Sequence, residues 1–350
     1  MNALDTYFSP DYFMARDRFR KAAPKVGGQL ETMSLEAKGP AKEDLTIDIA
    51  WFGSDAPKRL LLHSSGLHGV EGFAGSAIQL QLLENPPAIP RDAAILVVHI
   101  LNPYGMSWLR RDNENNVDLN RNFRAEGSHK GAPTTYAKLD HFLNPVTPPS
   151  FDFFSLKAIP LLVRYGMAEL KQSFVGGQYE FPKGLFFGGK QMEEGPRKYK
   201  AFLTDHLAAA EKTIAIDVHT GIGKYAEDML LVESEDFEKV RGLFGERVTA
   251  LQPDQKAAYR IEGGIESMLF RVFRNRPIFV GQEFGTYSGI RVLHALREEN
   301  RWHHYGSGTL DHPTKSKIRE AFYPADEYWR RTVLKRGSDL LQQAIGELAR

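Results

Sequence analysis

Two side chains that bind metals well, His68 and Glu71, follow an apolar run that ends abruptly in small residues. An imidazole nitrogen and a carboxylate oxygen are both good zinc ligands, and two ligands three residues apart can grip one ion if a third arrives from elsewhere and a fourth position stays open for water. The run 59–63 before them predicts a strand and the run 74–83 after them predicts a helix. The pair would therefore lie at the carboxyl end of a strand, where open α/β sheets keep their active sites.

Two further apolar runs end in residues of the same kind. Residues 213–218 lead to His219, and residues 277–282 lead to Glu283. Taken singly, a strand-end histidine is more often hydrogen-bonded to backbone than bound to a metal, but several strand ends that deliver two histidines and two glutamates favour a shared site. Two histidines and one glutamate form a common catalytic zinc shell, and a further carboxylate is needed as general base, for which Glu283 is the candidate.

A compact polar loop at 108–123 is rich in Asn and Arg, and loops of this sort usually carry function. It contains Asn120 and Arg121, preceded by the adjacent pair Arg110 and Arg111. By themselves these arginines could be surface cations. Without the Asp118-Leu119-Asn120 pattern beside Arg121, that interpretation would be favoured.

Strands and helices alternate along the chain and would position these residues. The nearly continuous apolar run 93–100 predicts a central strand buried on both faces. Residues 45–51 alternate apolar and polar side chains, and with 59–63 they predict a hairpin near a sheet edge. The whole pattern predicts an α/β fold, in which a mostly parallel or mixed twisted sheet carries helices on both faces.

The chain is expected to form a single domain over residues 1–350. Between about 127 and 195 several prolines interrupt the alternation, and short amphipathic pieces there predict an inserted helical excursion that covers the sheet. A C-terminal helical segment is predicted at about 315–350, with one apolar face.

Composition excludes several classes of function. Lys and Arg total 45 against 44 Asp and Glu, so no net field favours nucleic acid or an acidic membrane surface. The absence of cysteine excludes disulfides, thiolate metal sites and a cysteine nucleophile. No apolar run has the length of a signal peptide or a membrane span, so we expect a cytoplasmic protein of undetermined oligomeric state.

The chain resembles the M14 family of zinc metallocarboxypeptidases, in particular the bacterial DUF2817 branch. This branch is related to the succinylglutamate desuccinylase and aspartoacylase deacylases. The stretch His68-Gly69-Val70-Glu71 matches the family's first two zinc ligands, and His219 matches the third. The stretch Asp118-Leu119-Asn120-Arg121-Asn122-Phe123 is the most specific match, and Glu283 matches the catalytic glutamate. The resemblance implies a carboxypeptidase-like zinc exopeptidase fold and one Zn²⁺ per chain.

The resemblance also implies roles for the loop residues. Asn120 and Arg121 would hold the terminal carboxylate of the substrate, and Arg111 would stabilise the oxyanion, with Arg110 as its close competitor. Tyr259 is similar to a mobile tyrosine that closes over substrate. Asp217 is expected either to orient a ligand histidine or to face a helix without a role in the site. Four other histidines are expected to be structural, namely His63, His99, His303 and His304.

These observations predict a zinc hydrolase of an amide bond next to a free carboxylate, in which zinc activates water and Glu283 is the general base. Carboxypeptidase and N-acyl-amino-acid deacylase are both compatible with the site, so the expected substrate is a small peptide or an N-acyl amino acid. The segment 127–195 has no recognised counterpart in the digestive carboxypeptidases, which argues against substrates of their type. A catalytically idle relative that binds a carboxylate or peptide is the alternative from a different class.

Overall fold

A mixed sheet of eight strands organises the computed structural model, which describes residues 3–251 and 263–350. The strands lie in the order β1-β2-β4-β3-β5-β8-β6-β7. Their bounds are β1 Gln29–Lys38, β2 Asp44–Gly53, β3 Arg59–Ser65, β4 Ala93–His99, β5 Lys212–Thr220, β6 Asp228–Glu233, β7 Val248–Leu251 and β8 Ile278–Phe284.

Four neighbouring strands at the centre, β4, β3, β5 and β8, are parallel. On one side β2 and β1 continue the sheet in antiparallel order, and on the other side β6 is antiparallel to β8 and parallel to β7. The prediction of a mixed sheet is therefore confirmed. The predicted hairpin between residues 45–51 and 59–63 is wrong, because β4 lies between β2 and β3, and β2 forms its hairpin with β1.

Helices connect most of the strands. Their bounds are α1 Tyr12–Lys25, α2 Gly72–Glu84, α3 Pro103–Ser107, α4 Thr134–Leu143, α5 Phe154–Val175, α6 Glu194–Leu207, α7 Phe237–Phe244, α8 Ile265–Val272, α9 Gly289–Tyr305, α10 Pro313–Phe322 and α11 Glu327–Leu348. The long helix α5 is broken at Gly166, whose φ of 76° lies outside the helical region. None of the helices in the described residues has both the length and the apolar character needed to cross a membrane.

Side chains alternate between the two faces of the sheet, and each face packs on its own helices. On β3, Leu61 belongs to an apolar cluster shared with α1, α2 and α11, whereas Leu60 and Leu62 belong to a cluster shared with α6 and α8. Strand β4 is buried along its whole length, as predicted. Helices on both faces are thus confirmed.

The excursion at 127–195 contains α4 and α5. Apolar residues from both helices pack with α9 and α10 in a third cluster, which includes Leu139, Leu170, Phe174, Leu296 and Phe322. This cluster lies beyond the carboxyl ends of the parallel strands, since Val70 from the turn after β3 also belongs to it. The excursion therefore covers the edge of the sheet to which the candidate site residues belong.

Candidate metal and active site

The turn after β3 carries His68 and Glu71 and is held tightly against the loop after β4. The backbone N–H of Gly69 donates to the carbonyl of Arg111 at 3.0 Å, and that of Val70 donates to the carbonyl of Arg110 at 2.9 Å. A Cβ atom at position 69 would lie 2.1 Å from the carbonyl carbon of Gly105, so only glycine fits this close backbone approach. The turn is therefore fixed by neighbouring backbone as well as by its own short 3₁₀ helix.

The structure brings the three predicted ligands together. His68 Nδ1 lies 3.0 Å from Glu71 Oε1, His219 Nδ1 lies 3.3 Å from Glu71 Oε2, and the two Nδ1 atoms are 3.3 Å apart. Ligand atoms about 2.1 Å from a tetrahedral ion such as zinc are separated by roughly 3.4 Å. All three side chains are buried, and their spacing fits a shared metal ion.

Each histidine has a buried carboxylate on its other ring nitrogen. His68 Nε2 lies 2.9 Å from Asp118 Oδ1, and His219 Nε2 lies 2.6 Å from Asp217 Oδ2. At His219 the carboxylate at Nε2 favours the tautomer that leaves Nδ1 free to bind metal, as is usual for histidines that bind metal. Nε2 of His68 also lies 2.7 Å from Arg111 Nη2. Ser64 Oγ in turn donates to Asp217 Oδ1 at 2.6 Å. Of the two roles considered for Asp217, the structure thus supports contact with a ligand histidine.

The electrostatics of the cluster favour added positive charge. Burial acts to raise the pKa of Glu71, but the charges of His68 and Arg111 hold that pKa below its usual range. Burial acts to lower the pKa of His219, yet Asp217 and Glu71 hold it well above the usual range for histidine. Carboxylates that stabilise a proton on His219 would also stabilise a divalent cation in its place.

Arg111 and Arg110 occupy different environments. Arg111 Nη1 donates to Glu71 Oε1 at 2.7 Å, and its side chain lies at the wall of the cavity above the ligands. Arg110 is fully buried, donates to Asn116 Oδ1 at 2.7 Å and lies 3.5 Å from Glu299. Only Arg111 of the two is placed where it could contact a substrate.

Glu283 lies beside His219, because β5 and β8 are parallel neighbours in which these two residues are in register. Its Oε1 accepts from the backbone N–H of Ile222 at 2.9 Å. Burial, reinforced by the nearby Glu71 carboxylate, raises the pKa of Glu283 to about 7. A carboxyl group with that pKa can accept and release a proton near neutral pH.

Asn120 and Arg121, which were predicted to hold the substrate carboxylate, lie in different positions relative to the cavity. Asn120 lines the cavity, and its Oδ1 accepts from the backbone N–H of Ile265 at 3.2 Å. Arg121 is fully buried, donates from Nη1 to the carbonyl of Asn120 at 2.8 Å and, among the described residues, is not one of those that line the cavity. Tyr259 lies outside the described residues.

The sequence profile of a family described as proteins of unknown function, DUF2817, matches residues 8–336. The chain belongs to the DUF2817 family. The resemblance to this branch, predicted from four short motifs, is thus confirmed over most of the chain. A search of curated protein sequences gives no match.

Solved structures similar to this DUF2817 protein include carboxypeptidase A from Helicoverpa armigera, with 11% identity, a TM-score of 0.49 and coverage of 96% of this chain and 73% of that chain. Bovine thrombin-activatable fibrinolysis inhibitor in complex with tick carboxypeptidase inhibitor has 13% identity, a TM-score of 0.43 and coverage of 93% and 97%. Murein-tripeptide amidase MpaA from Escherichia coli O157 has 18% identity, a TM-score of 0.39 and coverage of 81% and 96%.

Above the ligands of the DUF2817 protein lies a cavity of about 730 Å³. The ligands, Arg111, Asn120 and Glu283 contribute polar groups to its wall, and most of the remaining wall is apolar. This combination of a large apolar space with a few converging polar groups is typical of sites for small molecules.

The sequence did not identify Glu266 and Lys171, an acidic and a basic residue of the cavity wall. Burial raises the pKa of Glu266, at the start of α8, to about 7. Burial lowers the pKa of Lys171, on α5, while the charge of Glu283 opposes that change. Glu266 has no spacing relationship to the motifs, and the only available signal for Lys171 is a lysine within an otherwise apolar stretch.

Proposed function

We propose that this DUF2817 protein is a zinc-dependent hydrolase that cleaves an amide bond next to a free carboxylate. The observation that carries the proposal is the convergence of His68 Nδ1, His219 Nδ1 and the Glu71 carboxylate, with Asp118 and Asp217 behind the two histidines. Structural ions are usually enclosed by four protein ligands, whereas catalytic zinc keeps a position open. Three ligands at the base of a large cavity fit the catalytic arrangement.

When bound, zinc would polarise the substrate carbonyl and lower the pKa of water. Glu283 would take a proton from the attacking water and return it to the leaving nitrogen, a task that suits a buried carboxyl group with a pKa raised to about 7. Its hydrogen bond from the Ile222 N–H fixes one carboxylate oxygen and leaves the other for proton transfer.

Arg111 would donate to the oxygen on which negative charge develops. Its Nη1 lies 2.7 Å from Glu71 Oε1, and the rings of Phe186 and Phe322 lie 5.8 and 6.0 Å from its guanidinium carbon. Asn120 would contact the substrate carboxylate from the cavity wall, with the charge of Arg121 immediately behind it. Tyr259 would contribute to substrate binding if it reaches the cavity.

The bond cleaved would belong either to a peptide, as in a carboxypeptidase, or to an N-acyl amino acid, as in a deacylase. The two activities require the same ligands and the same base and differ in what the apolar wall receives. A relative that binds carboxylates without turnover is the candidate from another class, and the presence of Glu283 beside a complete set of ligands argues against it.

Zinc content and turnover test the proposal together. Purified protein should hold one zinc per chain by mass spectrometry, and His68→Ala and His219→Ala should lose it while keeping the circular dichroism spectrum. His141→Ala, at an exposed histidine on α4, is the matched control and should retain zinc.

The same preparations are then assayed against a panel of dipeptides and N-acyl amino acids. Cleavage that requires both zinc and Glu283 supports the hydrolase. Zinc retained by both alanine variants would show that His68 and His219 do not bind it. Stoichiometric zinc in the wild type, with substrate binding but no turnover, would support the non-catalytic relative.

A further inference from the structure

The excursion 127–195 supplies many of the apolar residues that line the cavity above His68, Glu71 and His219. Side chains from α4 and α5 line it, including Phe142, Leu161, Leu162, Leu170 and Phe174, and side chains from α9 line it as well. With a volume of about 730 Å³, the cavity offers far more apolar surface than an acetyl group or a small side chain would cover.

The mouth of this cavity is apolar as well. Met167 on α5 and Ile290 on α9 both line the cavity and are 65% and 43% exposed, so they form part of its rim. Large exposed apolar surfaces in soluble proteins commonly mark binding sites.

Contacts of the polar residues indicate which side of the scissile bond meets this wall. Asn120 accepts a hydrogen bond from Ile265, which belongs to the apolar cluster that Leu60 and Leu62 of β3 share with α6 and α8. Arg111 is flanked by Phe186 and Phe322, which belong to the cluster built by the excursion and α9. If Asn120 meets the substrate carboxylate and Arg111 the carbonyl oxygen, the acyl group extends toward the excursion.

We propose that the substrate is an N-acyl amino acid with a long apolar acyl chain, which occupies the space between α5 and α9 and enters at Met167 and Ile290. This inference rests on the proposed function and selects the deacylase alternative within it. Hydrolysis adds water across the amide, giving a long-chain carboxylic acid and the free amino acid.

The test is a series of N-acyl-leucines from acetyl to decanoyl, assayed below their aggregation concentrations. Each methylene that enters an apolar wall contributes about 0.8 kcal/mol, so kcat/KM should rise by up to about fourfold per methylene until the chain fills the cavity. A flat or falling series from acetyl to octanoyl would overturn the inference. Cleavage of peptides or acetylated amino acids in that case would leave the hydrolase itself intact.

Binding provides a second measurement that does not depend on turnover. In zinc-loaded Glu283→Gln, octanoyl-leucine should bind more tightly than acetyl-leucine in isothermal titration calorimetry, by a factor that grows with each methylene. Equal affinities would contradict the inference even if no leucine derivative were hydrolysed. Preferential binding of the long acyl chain without hydrolysis of any amide would support a binding site for the acyl chain and contradict the proposed hydrolase.

Neighbouring residues of α5 supply matched variants. Leu162→Gln places an amide on the cavity wall, and burial of a polar group against an acyl chain should lower the octanoyl-to-acetyl ratio of kcat/KM by roughly fivefold or more. Met167→Gln should act in the same direction, and its 65% exposure limits any effect on folding. Val163→Gln, at a position that is 83% exposed and does not line the cavity, should leave the ratio unchanged. Equal effects at 162 and 163 would place the interaction outside the cavity.

Discussion

Asp217 and His219 lie two residues apart on β5, and their side chains meet with His219 Nε2 2.6 Å from Asp217 Oδ2. Residues at positions i and i+2 of a strand point to the same face, so the strand itself sets this contact. Parallel pairing with β8 also brings Glu283 beside His219. The ends of β5 and β8 thus position His219 as a proposed metal ligand, Asp217 as the carboxylate beside it and Glu283 as the proposed base.

The first prediction follows from the Asp217 contact. Asp217→Asn keeps the size of the side chain but removes the charge that holds the His219 tautomer, so zinc affinity should fall by about 10- to 100-fold. Competition with a chromogenic chelator measures the affinity. Asp48→Asn is the matched control, since Asp48 is a buried carboxylate on β2 that pairs with Arg20 of α1. The zinc affinity of this variant should stay at the wild-type value. A similar loss in both variants would attribute the effect to general damage.

The second prediction concerns the general base. Glu283→Gln preserves volume and should lower kcat by about 10²- to 10⁴-fold while zinc remains bound, because an amide cannot take a proton from water. Steady-state kinetics with metal analysis of the same sample checks both parts. Glu266→Gln is the comparison, since burial also raises the pKa of that carboxyl group to about 7. If Glu266→Gln lost more activity than Glu283→Gln, the assignment of the base would have to be exchanged.

The third prediction concerns recognition of the substrate carboxylate. Arg121→Lys should reduce the preference for a free-acid substrate over its amide, because lysine cannot reproduce the guanidinium contacts that hold Asn120, such as the hydrogen bond from Nη1 to the Asn120 carbonyl. The ratio of kcat/KM values for acid and amide cancels general damage to the site. Arg124→Lys, three residues on and stacked on Tyr179, serves as the control. A wild-type enzyme indifferent to amidation would show that Arg121 has no part in specificity.

The fourth prediction concerns a histidine outside the site. Burial lowers the pKa of His99 to about 4, and its ring stacks on Phe19 with centroids 4.6 Å apart. Because the folded-state pKa lies below the unfolded value, the imidazole favours folding fully above about pH 6.5 and loses that contribution as pH falls toward 4.

Urea unfolding of wild type and His99→Gln checks this sign. The stability of the wild type relative to the variant should decrease by roughly 2 kcal/mol between pH 7.5 and pH 5. A difference that did not change with pH would mean that His99 titrates near its ordinary value in the folded protein.

The central strands were predictable because burial on both faces demands continuous apolar runs, as at 93–100 and 213–218. The pairing of β2 with β1 and β4 was not predictable, because it depends on long-range contacts that the local alternation of side chains does not encode. No strand was predicted for the polar segment Gln29–Lys38, whose burial is low along most of its length.

Within the site, the convergence of His68, Glu71 and His219 was predictable from residue type at strand ends. The choice between Arg110 and Arg111 was not, because adjacent residues in an irregular loop have no periodicity to separate inward from outward positions. Glu266 and Lys171 reach the cavity only through the packing of α8 and α5. The position of Arg121 behind Asn120 likewise depends on tertiary structure.

The close backbone approach of Gly69 to Gly105 has a consequence for engineering. The backbone of residues 68–71 is hydrogen-bonded to that of residues 110–111. The positions of His68, Glu71 and Arg111 therefore depend on one another. A chimaera that exchanged only one of the two segments would break the fit at position 69, where no side chain has room. Grafting the site onto a related scaffold should therefore transfer both segments together, while the excursion can be exchanged separately to change which substrates enter.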